Sequence, residues 1–200
     1  YNYNYGPSFA VKEITNAFYA QANFESGKWR GNLGLRYVDT SDKSLYWVSN
    51  GSGSYDQALA NRTYYKPLPS FNLAYEVNED MVARFSAAKV MARPRYGQLA
   101  GTLDLNDQDF TGGGGNVDLK PYEATNYDLA FEWYFAPSSM LAAEVFRRDI
   151  SNYVVTNTTE QQLTNPISGV SGVYSISRPI NVADATATGV ALIYQHAFDN

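Results

Sequence analysis

Apolar and polar residues alternate with a period of two along most of this chain. Between Asn126 and Phe135, the residues Asn126, Asp128, Ala130, Glu132 and Tyr134 interleave with Tyr127, Leu129, Phe131, Trp133 and Phe135. A strand sends successive side chains to opposite faces. One face then carries two carboxylates and an amide, and the other only apolar and aromatic groups. A helix, at about 100° per residue, would mix the two sets, so the period predicts a strand. The same alternation runs through Asn16–Phe24, Trp29–Tyr37, Ser70–Val77, Met81–Ala87, Leu141–Arg148 and Val190–Tyr194, with Phe146 out of step. No segment carries a helical stripe. The pattern predicts about seven strands, or eight if one forms within Val170–Asn181.

The connections alternate between short and long. Short turns are expected at Glu25–Lys28, Asn78–Asp80 and Ala136–Ser139, each with Gly, Asn, Asp, Ser or Pro placed for a tight reversal. Long polar connections are expected over Ser41–Thr63, Arg95–Lys120 and Asn157–Asp184. A soluble β-sandwich shows turn signals every 8–12 residues or so. A membrane β-barrel instead needs tilted strands of about 9–11 residues, short turns on one side and long loops on the other. Its apolar face meets lipid and its polar face lines the lumen. Aromatics should gather where strands meet the short turns, and Phe24, Trp29, Tyr75, Trp133 and Phe135 do. The fold expected is all-β: a segment of an antiparallel transmembrane β-barrel, cut from a larger wall.

Composition narrows the function. The net charge is −5, and charged residues are only 18% of the 200. A nucleic-acid binder needs a basic stripe, so no nucleic-acid partner is expected. The absence of cysteine removes disulfides and thiolate metal sites. The single histidine, His196, argues against a multi-histidine zinc site or a serine-protease triad. No apolar run approaches about 18 residues, so no transmembrane helix is expected. A mean hydropathy of −0.37 fits a chain whose period-two alternation averages a lipid face against a wet one. The opening Tyr1-Asn2-Tyr3-Asn4-Tyr5 has no signal-peptide character and reads as a protein that stays in the cytoplasm, a mature chain or an internal piece.

Several stretches resemble the barrel of TonB-dependent outer-membrane receptors. They are Lys89-Val90-Met91-Ala92-Arg93-Pro94-Arg95-Tyr96, Gly114–Leu129 with its Asn116-Val117-Asp118-Leu119-Lys120-Pro121 and Asn126-Tyr127-Asp128-Leu129 elements, and Glu132-Trp133-Tyr134-Phe135. Asn32–Thr40, Leu68–Leu73, Phe146–Ile150 and Arg178–Asn181 add to the likeness. The resemblance implies a barrel of about 22 strands closed by an N-terminal plug. It also implies location in the bacterial outer membrane, and active uptake of a siderophore, vitamin or oligosaccharide driven through the partner TonB. Residues 1–200 then form part of the barrel, with the plug and the final strands outside them. The other readings are a passive porin and a soluble carbohydrate-binding β protein.

The candidate sites follow from this layout. Arg30, Arg36, Arg84, Asp128 and Glu132 are expected to face the lumen, as a ladder of cross-strand pairs or as solute contacts. Tyr46, Trp47, Tyr55, Arg93, Arg95, Tyr96, Asn116 and Tyr174 are the ligand-binding candidates, since aromatic and cationic loop residues suit chelate or sugar recognition. Asp107-x-Asp109-x-Thr111-Gly112, with Asp118 at the twelfth place, echoes a calcium loop. It has Thr for one acid, Asp for the closing Glu, and no flanking helices, so a solvated loop and no metal site is expected. Asp128 and Glu132 have the types of a glycosidase pair, but nothing else supports hydrolysis, and no enzyme activity or cofactor is expected.

Overall fold

The computed structural model describes residues 5–50 and 54–197. The opening Tyr1-Asn2-Tyr3-Asn4 and the Gly51-Ser52-Gly53 tip of the Ser41–Thr63 connection lie outside the described residues. Seven strands form one antiparallel sheet: β1 (Phe9–Ser26), β2 (Trp29–Ser49), β3 (Tyr55–Asn78), β4 (Met81–Ala92), then β7 (Tyr122–Ala136), β8 (Ser139–Ser151) and β11 (Ala185–Gln195). The three short turns fall where expected. Gly27 sits at φ +56° in the first, the left-handed region that glycine enters at least cost. In the third, Ser138 takes a similar φ of 54°.

The cross-strand rows show what the alternation means. One outward row runs Phe24, Gly31, Leu73, Phe85, Leu129, Val145, Val190. The next, nearer the short turns, runs Trp29, Tyr75, Ala83, Phe131, Ala143, Leu192. Most of these side chains stay exposed, Leu129 at 56% and Leu192 at 77%, while Leu73, Tyr75 and Ala83 are half-buried. An apolar face this extensive needs a non-aqueous neighbour, and hydrocarbon supplies one. Trp29 and Tyr75 stack at 4.3 Å beside the first turn, and Trp133, Phe135 and Tyr194 form the same kind of band farther along. His196 joins that band, stacked on Phe135 with its Nδ1 2.8 Å from Ser139 Oγ.

Phe146, out of step in the sequence, turns inward over Gly189, where any side chain would collide with its ring, and Arg148 lies 5.1 Å above it. It therefore keeps the strand register while filling a gap in the polar face.

Two expectations need correction. The Ser41–Thr63 connection is not a loop. β2 and β3 run on as a paired hairpin from Ser41↔Thr63 to Ser49↔Tyr55. Above the membrane both faces of a strand meet water, so the polar alternation fades while the backbone ladder continues. The strand within Val170–Asn181 does form, but it is not an eighth wall strand. It belongs to a second sheet in the long loops, made of β5 (Asp104–Asn106), β6 (Thr111–Gly113), β9 (Val154–Thr164) and β10 (Ser171–Asn181), in the order β5-β6-β10-β9. β6 and β10 pair in parallel, which joins two loops. Most of the deeply buried apolar residues, among them Leu99, Ala100, Leu119, Tyr174 and Ile176, lie in these loops. The molecule's tightest packing is thus at one end of the wall.

Candidate functional site

The inner face of the wall is a ladder of charge pairs. Arg30 meets Glu76 at 3.0 Å, Arg84 meets Glu132 at 2.7 Å, and Arg148 meets Asp128 at 2.5 Å. Tyr134 donates to Glu132 at 2.8 Å and Ser86 donates to Asp128 at 3.1 Å. Asp128 and Glu132 are thus each bound to a different arginine. The expected lumen-facing set is on one face, but Arg36 differs from the rest. It is exposed, has no ion-pair partner among the described residues, and shares a basic hollow with Lys89 and Arg93. The inner wall beside the pairs opens into a cavity of about 610 Å³ lined by Asn32, Asn72, Arg84, Asp128 and Glu132.

Above the membrane, residues 93–121 fold down onto the inner face of β2 and β3. Ser44 donates to the Leu99 carbonyl at 3.0 Å, and the Arg62 guanidinium donates to the Leu119 carbonyl. Arg93 reaches Thr40 Oγ1 at 3.2 Å and lies 3.6 Å from Glu13. Glu123, itself buried, pairs with both Lys66 and Lys89, the latter at 2.8 Å. These contacts seat the loop as a roof on the wall.

The ligand-binding candidates divide into two groups. Tyr46 packs its ring against Gly101, where a Cβ has no room. Asn116 holds the loop's shape: its Oδ1 accepts from the Asp118 N–H at 2.9 Å and its amide donates to the Pro179 carbonyl at 3.1 Å. Tyr174 is fully enclosed, so its ring offers no face to a ligand. These three support the loops. Arg93, bonded to Thr40 and close to Glu13, does so too, and the other four reach the surface. Tyr96 is 54% exposed on the 3₁₀ turn Tyr96–Leu99, and Arg95 precedes it with its N–H bonded to Gln98. Trp47 and Tyr55 stand at the hairpin tip with Tyr5 between their rings. They line a cavity of about 370 Å³ with Leu105, Leu163, Ile167 and Arg178. The sequence reading passed over Arg178, Arg62 and Glu123. Arg62 and Glu123 bond to residues far away in the chain, and Arg178 reaches its cavity only because the long loops fold together.

The calcium-like segment does something else. Asp107 accepts from Ser168 at 2.5 Å, Tyr174 at 2.6 Å and Asn165 at 2.7 Å, all on the other long loop. Its oxygens are used in holding the loops together, and no acidic or histidine cluster able to hold a metal occurs among the described residues. The three donors, Ser168 first, hold the Asp107 carboxyl below its ordinary value of 3.8. Burial, with Asp107 beside it, pushes the Tyr174 hydroxyl up to about 12. A carboxyl depressed by folding contributes stability that is complete above about pH 4 and is lost as pH falls through its folded value. Hydrogen exchange of the 165–174 amides in the full-length receptor should therefore stay slow from pH 5 to 9 and speed up below pH 4, after correction for intrinsic rates. Asp107→Asn should exchange fast already at pH 7. Equal exchange of wild type and variant at pH 7 would remove the latch.

No curated protein sequence matches the chain. Solved structures do match its fold. The HasR receptor of Serratia marcescens, a double mutant in complex with its hemophore HasA and heme, superposes with a TM-score of 0.71 at 14% identity, covering 92% of this chain and 32% of that one. A mutant of the ferric enterobactin receptor PfeA of Pseudomonas aeruginosa, in complex with enterobactin, gives 0.59 at 15%, covering 92% and 33%. The siderophore receptor PirA of Acinetobacter baumannii gives 0.51 at 18%, covering 90% and 34%. The chain thus spans about a third of the length of these receptors. The family profile described as "TonB dependent receptor-like, beta-barrel" covers residues 1–199, and the chain accordingly belongs to the TonB-dependent receptors of the bacterial outer membrane, a family of transport proteins and not of enzymes.

Proposed function

We propose that this chain is the part of a TonB-dependent receptor's barrel that captures a scarce nutrient from outside and passes it inward by active transport. The plug, its TonB-contacting segment and the remaining barrel strands lie outside these 200 residues in this proposal. The observation that carries it is the inside-out wall: apolar side chains outward, paired charges inward, and a folded roof of loops at one end only. Such a wall divides lipid from an aqueous route, and a built roof supplies a selective entrance.

For the cargo we favour an iron chelate over an oligosaccharide or vitamin. Arg95 and Tyr96 present a cation and a ring on the roof, and Arg36 adds a cation on the inner wall that has no ion-pair partner among the described residues. Cations beside aromatic faces suit anionic, ring-bearing chelates. The HasR and PfeA structures were solved with heme and enterobactin respectively, which agrees with that class.

The test is uptake of radiolabelled ferric chelates by cells carrying the full-length receptor, with and without TonB. Saturable uptake that stops without TonB is expected. Uptake indifferent to TonB would make this a passive pore. Energy-dependent uptake of oligosaccharide but not of chelate would keep the transport reading and replace the cargo.

A further inference from the structure

The register of β1 and β2 places two lysines directly opposite each other on the outside of the wall. Lys12 pairs with Lys43, and Lys43 with Asn61 of β3. Side chains directly opposed across an antiparallel pair have Cβ atoms about 4.5–5.5 Å apart, and like charges there repel. Both lysines are exposed, and neither has an ion-pair or hydrogen-bond partner among the described residues. The next residues on the same strands, Glu13 and Asp42, are also directly opposed like charges, but they face inward. The inner acids are served: Arg62 is the strand partner of Asp42, and Arg93 lies 3.6 Å from Glu13. Arg62 and Arg93 neutralise the inner pair, and the outer pair has no anion among the described residues. Asp39, the nearest outward carboxylate on β2, lies four residues down, about 13 Å of strand from Lys43.

Height identifies the surroundings. Lys43 is fourteen residues up β2 from Trp29, the aromatic at the short turn. At about 3.3 Å per residue that is roughly 46 Å of strand, or roughly 35 Å along the membrane normal at a tilt of about 40°. The apolar band of such barrels is about 25 Å tall. The two ammonium groups therefore stand about 10 Å above the hydrocarbon, at the level of lipid headgroups. The outward rows beneath them grade in the right order. Ile14, Ser41 and Thr63 come first, then Asn16, Asp39 and Tyr65, then Phe18, Tyr37 and Pro67, where Tyr37 stacks on Tyr65 at 6.2 Å. The Asn61 amide thus stands beside the cations and the Ser41 and Thr63 hydroxyls lie just below them, with apolar surface for acyl chains farther down and the outward row Ala10, Leu45, Leu59 above.

We propose that Lys12 and Lys43, with Asn61 beside them, form a seat for the phosphate of an outer-leaflet lipid headgroup. The two ammoniums and the amide supply the charge and donors for a phosphate, and the rows below hold the rest of the lipid. The seat rests on the outer-membrane placement of the wall and not on the proposed cargo, so its test does not involve transport.

The experiment titrates the full-length receptor in detergent micelles with bisphosphorylated lipid A and counts bound lipid by native mass spectrometry. Dephosphorylated lipid A and inorganic phosphate are the comparators, and a heat-modifiable gel shift verifies folding of each variant. Each lysine near a charged headgroup should be worth about fivefold in affinity. Lys12→Gln or Lys43→Gln should each weaken binding about fivefold, and the double variant roughly twenty-five-fold. Lys43→Arg should bind as wild type does. Equal binding by the folded double variant, or equal binding of dephosphorylated lipid A, would overturn the proposal. Displacement of the lipid by equimolar inorganic phosphate would also overturn it, by showing a free-anion site.

Discussion

Replacing Leu129 with arginine should destabilise the folded barrel by about 2–4 kcal/mol and cut the amount inserted in the outer membrane. Leu129 stands in the middle of β7 on the outward row between Phe85 and Val145, 56% exposed with nothing polar opposite. In water that exposure would make arginine harmless. In hydrocarbon the guanidinium loses its hydration and has no carboxylate within the row to replace it. The comparison that isolates the cause is Ala130→Arg, one residue along, whose side chain faces the inner wall between Arg84 and Glu144. There water and an acid are at hand, and insertion should persist. Urea unfolding in lipid vesicles, together with outer-membrane yield, measures both. If the full-length receptor inserts Leu129→Arg as well as wild type, the outward register assigned to β7 is wrong.

The second large effect is expected at Glu123. Glu123→Gln should cost about 3 kcal/mol, the lower end for breaking a buried pair, since both lysines still reach water. Glu123 is 6% exposed and is the shared anion of Lys66 on β3 and Lys89 on β4. Its loss leaves two cations facing each other across the wall where the roof begins. The damage should be local as well as energetic: proteolysis within residues 93–121 should quicken before the wall itself unfolds. The second change Lys89→Gln should recover part of the loss by removing the repulsion. If Glu123→Gln unfolds at wild-type urea concentrations and resists protease equally, the pair contributes nothing measurable.

The lipid-facing part of the fold was legible because lipid imposes a strict rule on it. Where one face must be apolar, as from Asn126 to Phe135, the period of two is strong enough to assign the strand, its faces and the adjoining turn. Beyond the hydrocarbon no such rule holds. β2 and β3 continue through Asp42, Lys43, Arg62 and Thr63 with polar surroundings on both faces, and their pairing shows in hydrogen bonds the sequence does not mark. The site was legible to the same extent. Arg84 and Glu132, or Asp128 and Arg148, could be put on one face from alternation alone, because register does the rest. Tyr174 could not be placed. Its partner Asp107 is 67 residues away on another loop, and an aromatic on a polar loop looks the same whether it waits for a ligand or fills a core. Asp107 could not be placed for the same reason: the Asp-x-Asp run reads as a solvated loop, and its bonds to Ser168 and Asn165 on the other loop leave no mark in the sequence.

The parallel ladder between β6 and β10 has a consequence for the order of assembly. It joins residues 111–113 to 175–177, with the whole of β7 and β8 lying between them in the chain. Ends that far apart meet only after the intervening wall strands have paired, because closing the larger loop first would cost more entropy. The wall therefore zips before the roof knits. A barrel arrested during insertion would carry finished strands and open loops, with the β9–β10 hairpin accessible to periplasmic proteases. The roof is then the last part to become protected, and its resistance to cleavage reports that the wall beneath it is complete.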